Sequence, residues 1–162
     1  MRRLAGCIAL FSLSIALWLL KPCLFLPIGT SVISWWHADT MNECAHEPAI
    51  GRANYWVPTA DQIADLEIKM AWVMSERESA GSMVPRPGQR FFAQYIGFTR
   101  KGVPHIYGNF VPVDMVEGDR WTSKWSPLEK PICVGDGGRN FWGIVYNPAT
   151  KVVEQPIFNG RG

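Results

Sequence analysis

Apolar and polar positions are distributed along this chain in several distinct ways. Residues 4–20 (LAGCIALFSLSIALWLL) carry no charge and follow Arg2 and Arg3, and a second apolar run, 23–36, begins after Lys21-Pro22. Residues 37–58 hold no sustained period and are rich in turn formers, so they read as an extended arm. From 60 to 79 the pattern changes: Ile63, Leu66, Met70, Val73 and Met74 recur three and four apart, with Asp65, Lys69, Glu76 and Glu78 on the other face. That is the period of an amphipathic α-helix with one core-facing stripe. Thr59 and Gln62 form a capping box at its start, Asp61 complements the positive helix end, and Gly81 supplies a stop.

Beyond the helix the period shortens. Residues 82–89 are a Pro/Gly loop, and 90–99 (RFFAQYIGFT) read as a strand that is apolar on both faces and therefore central in its sheet. Arg100-Lys101-Gly102 turns the chain, and 104–113 pair back, with Gly108 marking a bulge or a place where a neighbouring aromatic ring crosses. Residues 139–146 and 151–158 form a final hairpin around Asn147-Pro148, because Asn bonds the backbone ahead of it while Pro fixes φ. Asp136-Gly137-Gly138 lacks a following lysine and helix, so it reads as a turn needing positive φ, with Asp136 capping backbone amides, rather than as a phosphate loop.

The expected fold class is α+β: an N-terminal hydrophobic helix, then one amphipathic helix packed on a four-stranded antiparallel meander. Residues 1–36 make a signal or membrane-anchor segment, 37–58 the arm, and 59–162 a single domain. A helix covering one face of a curled meander is the build of cystatin-like and NTF2-like folds, an analogy that carries no activity.

The basic start and the uncharged stretch bring in a compartment. Both the secretory-signal and the anchor reading export the remainder of the chain, and the lack of a small-x-small site after residue 20 favours an uncleaved anchor, with Arg2 and Arg3 inside. The expected location is the inner membrane with a periplasmic domain, or the periplasm if the segment is cleaved. Leu4-Ala5-Gly6-Cys7 spells a lipobox, but the apolar run follows the cysteine instead of preceding it.

The formal net charge of +2 is concentrated at the N-terminus: residues 37–162 carry 13 Lys and Arg against 14 Asp and Glu. No basic footprint for nucleic acid remains. Within them, 37–80 hold 3 basic and 8 acidic groups, whereas 81–162 hold 10 basic and 6 acidic.

Four cysteines are present. Cys44 and Cys133 belong to the exported part and are the candidate disulfide, closing a loop of about 90 residues that contributes roughly 3–5 kcal/mol in the chain-entropy model. His37, Cys44 and His46 stand close together, but no second ligand pair follows, so no metal site is assigned. No motif implies a cofactor or a catalytic residue. Cys133 and His105 could meet across neighbouring strands, yet an oxidised cysteine and an exposed histidine beside the 101–102 turn explain both.

Candidate binding residues are aromatic. Trp121 and Trp125, in the polar connection 114–131, could stack on sugar rings such as those of peptidoglycan, or could anchor that loop to its own domain. Trp142 and Tyr146 alternate with Phe141 and Val145, so one set lies under the helix and the other forms an exposed aromatic surface, with His105 nearby.

The succession Tyr107-Gly108-Asn109-Phe110-Val111-Pro112, Asp136-Gly137-Gly138, Phe141 through Pro148 and Asn159-Gly160 resembles a group of small exported proteobacterial proteins of unassigned function. The likeness runs from about Thr59 to the end. It implies a helix, a strand pair and a terminal DGG…Y-[DN]-P…NG hairpin in an envelope protein, and no activity. Cysteines that often follow GG and precede NG in that group are Arg139 and Phe158 here. The leading expectation is a non-enzymatic domain that binds an envelope macromolecule through its sheet face and the 114–131 loop. The alternative is a module that binds or modifies peptidoglycan.

Overall fold

A computed structural model describes residues 30–33, 54–117 and 131–160. The α+β content is as expected, with one main helix and a sheet of seven strands rather than four. The strands are β1 (Thr30–Val32), β2 (Tyr55–Trp56), β3 (Phe91–Arg100), β4 (Val103–Pro112), β5 (Trp142–Asn147), β6 (Val152–Val153) and β7 (Ile157–Phe158). The main helix, α1, spans Ala60–Ser79, and a single short turn of helix, α2, spans Val113–Glu117.

The three longest strands form the middle of the sheet. β3 and β4 pair antiparallel in unbroken register from Phe91↔Pro112 to Arg100↔Val103, so Gly108 is no bulge. Instead the Tyr95 and Phe110 rings crowd the space where its Cβ would stand, each 3.0 Å away, which is the aromatic crossing. The connecting turn has two residues, Lys101 (φ 51) and Gly102 (φ 78), the pair of positive φ values that suits the strands' twist. β5 pairs antiparallel with β4 on the other side.

Each outer edge of this core carries two short strands in tandem. β1 runs parallel to Ala93–Tyr95 and β2 runs antiparallel to Gly97–Phe98 along the same edge of β3. β7 and β6 share the edge of β5 in the same way. The expected return strand 151–158 is thus broken. From Tyr146 to Gly143 β5 advances three residues while its partner advances four, from Val153 to Ile157, and the extra residue falls around the buried Pro156, which has no N–H to offer a ladder.

Two boundaries therefore change. Thr30–Val32 lie within the stretch expected as signal or anchor, yet they form a strand, and Ile33 is buried in the core with its N–H donating to the Tyr95 carbonyl at 2.8 Å. Tyr55 and Trp56, expected in a loose arm, close the other half of that edge. The sheet begins by residue 30. Among the described residues no helix is long and apolar enough to cross a membrane, and the expected hydrophobic helix of residues 4–20 lies outside them.

α1 begins and ends as its residues dictate. Thr59 Oγ1 accepts from the Gln62 amide at 3.3 Å while Gln62 Oε1 accepts from the Thr59 amide at 2.9 Å, and Gly81 (φ 67) ends the helix. Ile63 and Leu66 are fully buried against Tyr95, Ile106, Phe110, Trp142, Ile144 and Tyr146, with Met70 and Met74 completing the contact. The opposite sheet face is covered too. Ile33, Ile96, Phe98, Tyr107 and Val145 form one cluster with Tyr55 and Cys133, and Phe92, Val111, Ile132 and Phe141 form another with α2.

The segment from 131 reaches that second face because two buried amides receive it. Asn109 Nδ2 donates to the Ile132 carbonyl at 2.9 Å, and Gln94 Oε1 accepts from both the Ile132 amide (2.8 Å) and Asn109 (3.1 Å). With its backbone groups satisfied, irregular chain can lie on an apolar sheet without stranding polar atoms.

Candidate functional site

The sheet aromatics named as binding candidates are not on a surface. Trp142 is 4 % exposed and Tyr146 0 %, and both lie under α1. The alternate set is no more open, since Phe141 and Val145 are buried on the other face. Both faces are covered, so the expected exposed aromatic sheet surface does not exist. His105 is also buried. Its ring stacks on Phe98, the residue opposite it, at 5.5 Å, and Nδ1 lies 2.9 Å from the Val103 carbonyl, which can only accept, so Nδ1 carries the hydrogen. Trp121 and Trp125 lie outside the described residues. Cys133 is disulfide-bonded and is the one described cysteine, so no disulfide joins two described residues; Cys44, its expected partner, lies outside them.

The motif residues of the terminal hairpin come together, by a different device from the one expected. Gly137 (φ 103) and Gly138 (φ 56) make the positive-φ turn. Its backbone is held by Asn159 rather than by the Asp136 side chain: Asn159 Nδ2 donates to the Val134 carbonyl and, at 3.4 Å, to that of Asp136, while the Gly138 amide donates to Gly160 at 3.1 Å. DGG and NG are thus the two halves of one clasp.

Polar chemistry concentrates where α1 meets the sheet. Asp65 and Glu67 flank the buried Leu66, and each takes a tyrosine hydroxyl. Tyr146 donates to Asp65, and Tyr95 donates to Glu67 Oε1 at 2.9 Å. The bond from Tyr146, helped by Lys151 Nζ at 3.5 Å, holds Asp65 below the usual carboxylate range. Burial pushes Glu67 up, against the opposing pull of the Tyr95 hydroxyl. Both tyrosines are raised, first by burial and then by the carboxylates they face. These pairs fasten helix to sheet, and a tyrosine held protonated beside a carboxylate is poorly placed to act as a base.

The outer face of α1 is different. Ile68 is 69 % exposed and Trp72 is 62 % exposed, one helical turn apart and opposite the stripe that includes Ile63, Leu66 and Met70. Charges of both signs surround them on the same helix, with Asp61 and Asp65 toward its start, Lys69 between the two, and Glu76 one turn beyond Trp72. The helical period contains this pair in plain view: an isoleucine and a tryptophan fall outside the stripe that faces the core. Comparison with protein-family models, with curated proteins and with solved structures finds no match for this chain.

Proposed function

We propose that this chain is a non-enzymatic envelope protein whose folded domain faces the periplasm and binds a protein partner through the outer face of α1. The observation that carries the reading is the pair Ile68 and Trp72, a large apolar surface held in solvent on a helix whose other face is committed to the sheet. Tryptophan buried on association is a frequent centre of binding energy. Asp61, Lys69 and Glu76 give the pair a charged rim of both signs, which favours a partner with an apolar pocket and a mixed polar border. Export is supported by the uncharged stretch behind Arg2 and Arg3 and by the disulfide at Cys133, a bond of oxidising compartments. The resemblance to small exported proteobacterial proteins adds the DGG and NG residues, which meet in one clasp.

The test places a photo-crosslinking residue at position 68 of the full chain in the native envelope, with position 152, also exposed, as control. A discrete protein adduct is expected from 68 alone, and is lost in Trp72→Ala. Equal adducts from both positions, or none, overturn the reading. Sedimentation with purified cell-wall sacculi that depends on Trp121 and Trp125 would favour the carbohydrate-binding alternative instead.

A further inference from the structure

β3 and β4 leave the sheet side by side at the Phe91↔Pro112 pair, and the chain beyond each strand makes one wall of a cavity of about 320 Å³. One wall is the turn 86–89, in which the Gln89 amide donates to the Arg86 carbonyl at 3.1 Å and Gly88 holds φ +75. Pro at its second position and a glycine of positive φ at its third are the requirements of a type II turn. The other wall is Val113 and Asp114 at the start of α2. The walls are joined below by the Val113 amide donating to the Arg90 carbonyl at 3.0 Å, and across by Gln89 Nε2 donating to Asp114 Oδ1 at 3.4 Å.

The charges in this cavity do not cancel one another. Among the described residues the Arg86 guanidinium makes no hydrogen bond or ion pair, and the Asp114 carboxylate has no partner besides the long contact from Gln89. Arg90, the second arginine of the lining, has a partner of its own. A guanidinium presents paired donors that suit a carboxylate. A simple anion bound there would face the Asp114 carboxylate, and a simple cation would face the Arg86 guanidinium, so each would meet a repulsive wall. A molecule carrying both charges meets neither.

We infer that this cavity is a binding site for a small zwitterion of the α-amino-acid type, its carboxylate received by Arg86 and its ammonium by Asp114. The volume lies at the lower end of small-molecule sites, which begin at roughly 300 Å³, and suits a ligand of that size. The site lies away from α1 and uses none of its residues, so it stands or falls separately from the protein-binding face.

The experiment titrates the isotope-labelled full chain with glycine, L-alanine and D-alanine, following the amides of Gly88, Gln89, Arg90, Val113 and Asp114 by NMR. Acetate, methylammonium and inorganic phosphate are the comparison probes. Saturable shifts confined to these amides are expected with at least one amino acid, and binding about tenfold tighter than any comparison probe. Arg86→Gln and Asp114→Asn should each weaken it by about tenfold or more, with melting temperature unchanged because neither side chain is buried. No saturation by any amino acid at about 50 mM, equal binding of acetate or phosphate, or undiminished binding by both variants each overturns the assignment.

Discussion

The Tyr146 hydroxyl donates to Asp65, so the last long strand is tied to α1 through a carboxylate that also meets Lys151 from the adjoining hairpin turn. Replacing Tyr146 by Phe removes that bond while keeping the ring that packs under the helix. The expected loss is about 1–2 kcal/mol at pH 7, read by denaturant unfolding. The pH profile carries a second signature. A tyrosine whose folded pKa lies above the ordinary 10.0 stabilises fully below pH 10.0, and its contribution is lost as pH rises beyond it, because the unfolded chain ionises first. Tyr146→Phe should therefore lose less stability than the parent between pH 9 and 11, with Tyr95 responsible for the remaining decline.

Glu67 gives the opposite sign from its neighbour Asp65. A carboxyl raised by burial folds more readily when protonated, so its contribution is most favourable below the ordinary 4.5 and falls as pH rises through the folded value. Glu67→Gln keeps an acceptor for the Tyr95 hydroxyl and removes the charge. The variant should match or exceed the parent in stability at pH 7 and lose that advantage by pH 4, as measured by urea midpoints at the two values. A large loss at pH 7 would contradict the placement of Glu67.

Gly97 lies beneath the Trp56 ring, where even a methyl group would overlap the indole. Gly97→Ala should cost about 1–3 kcal/mol, since Trp56 must leave the sheet or the strands must part. Near-ultraviolet circular dichroism would report a changed indole environment alongside the lower melting temperature. Gly135→Ala, with nothing within 4 Å, is the control and should alter neither.

Ile33 tests where the folded domain begins. It is 1 % exposed among Ile96, Phe98, Tyr107 and Val145. Ile33→Ala should destabilise the fold by about 2–4 kcal/mol in thermal or denaturant unfolding. A chain beginning at residue 37 lacks β1 as well and should melt lower still than one beginning at residue 28. Equal stability of the two would remove Thr30–Val32 from the domain.

What could be read in the residues was the local grammar. Thr59 with Gln62, and Asn147, whose Oδ1 accepts from the Ala149 and Thr150 amides at 2.9 and 3.1 Å, declare their structures through bonds within four residues of themselves. The strand over 90–99 was legible because both of its faces are apolar, and its partner because the Arg100-Lys101-Gly102 turn brings the chain back beside it. β1 was hidden because three residues inside an apolar run look the same whether a sheet or a bilayer receives them. β2 has only two residues, too few for a period, and its position follows from a glycine forty residues later. The burial of His105 comes from Phe98 across the hairpin, a partner that the polar turn beside it does not announce. The surface was misplaced for a related reason. Aromatic alternation in β5 promised one open face, but Ile33, from far upstream, and the 131–134 segment, held down by Gln94 and Asn109 of other strands, cover it.

The parallel pairing of β1 has a consequence for synthesis. Thr30–Val32 emerge about sixty residues before Ala93–Tyr95, which they must join, whereas β3 and β4 meet through a two-residue turn as soon as both exist. The first strand of the sheet therefore waits for the third before it can pair. Until β3 arrives, Val32 and Ile33 remain apolar chain without a mate, continuous with the stretch that precedes them. The newborn protein thus has an interval in which the apolar side chains of Val32 and Ile33 have no sheet to cover them.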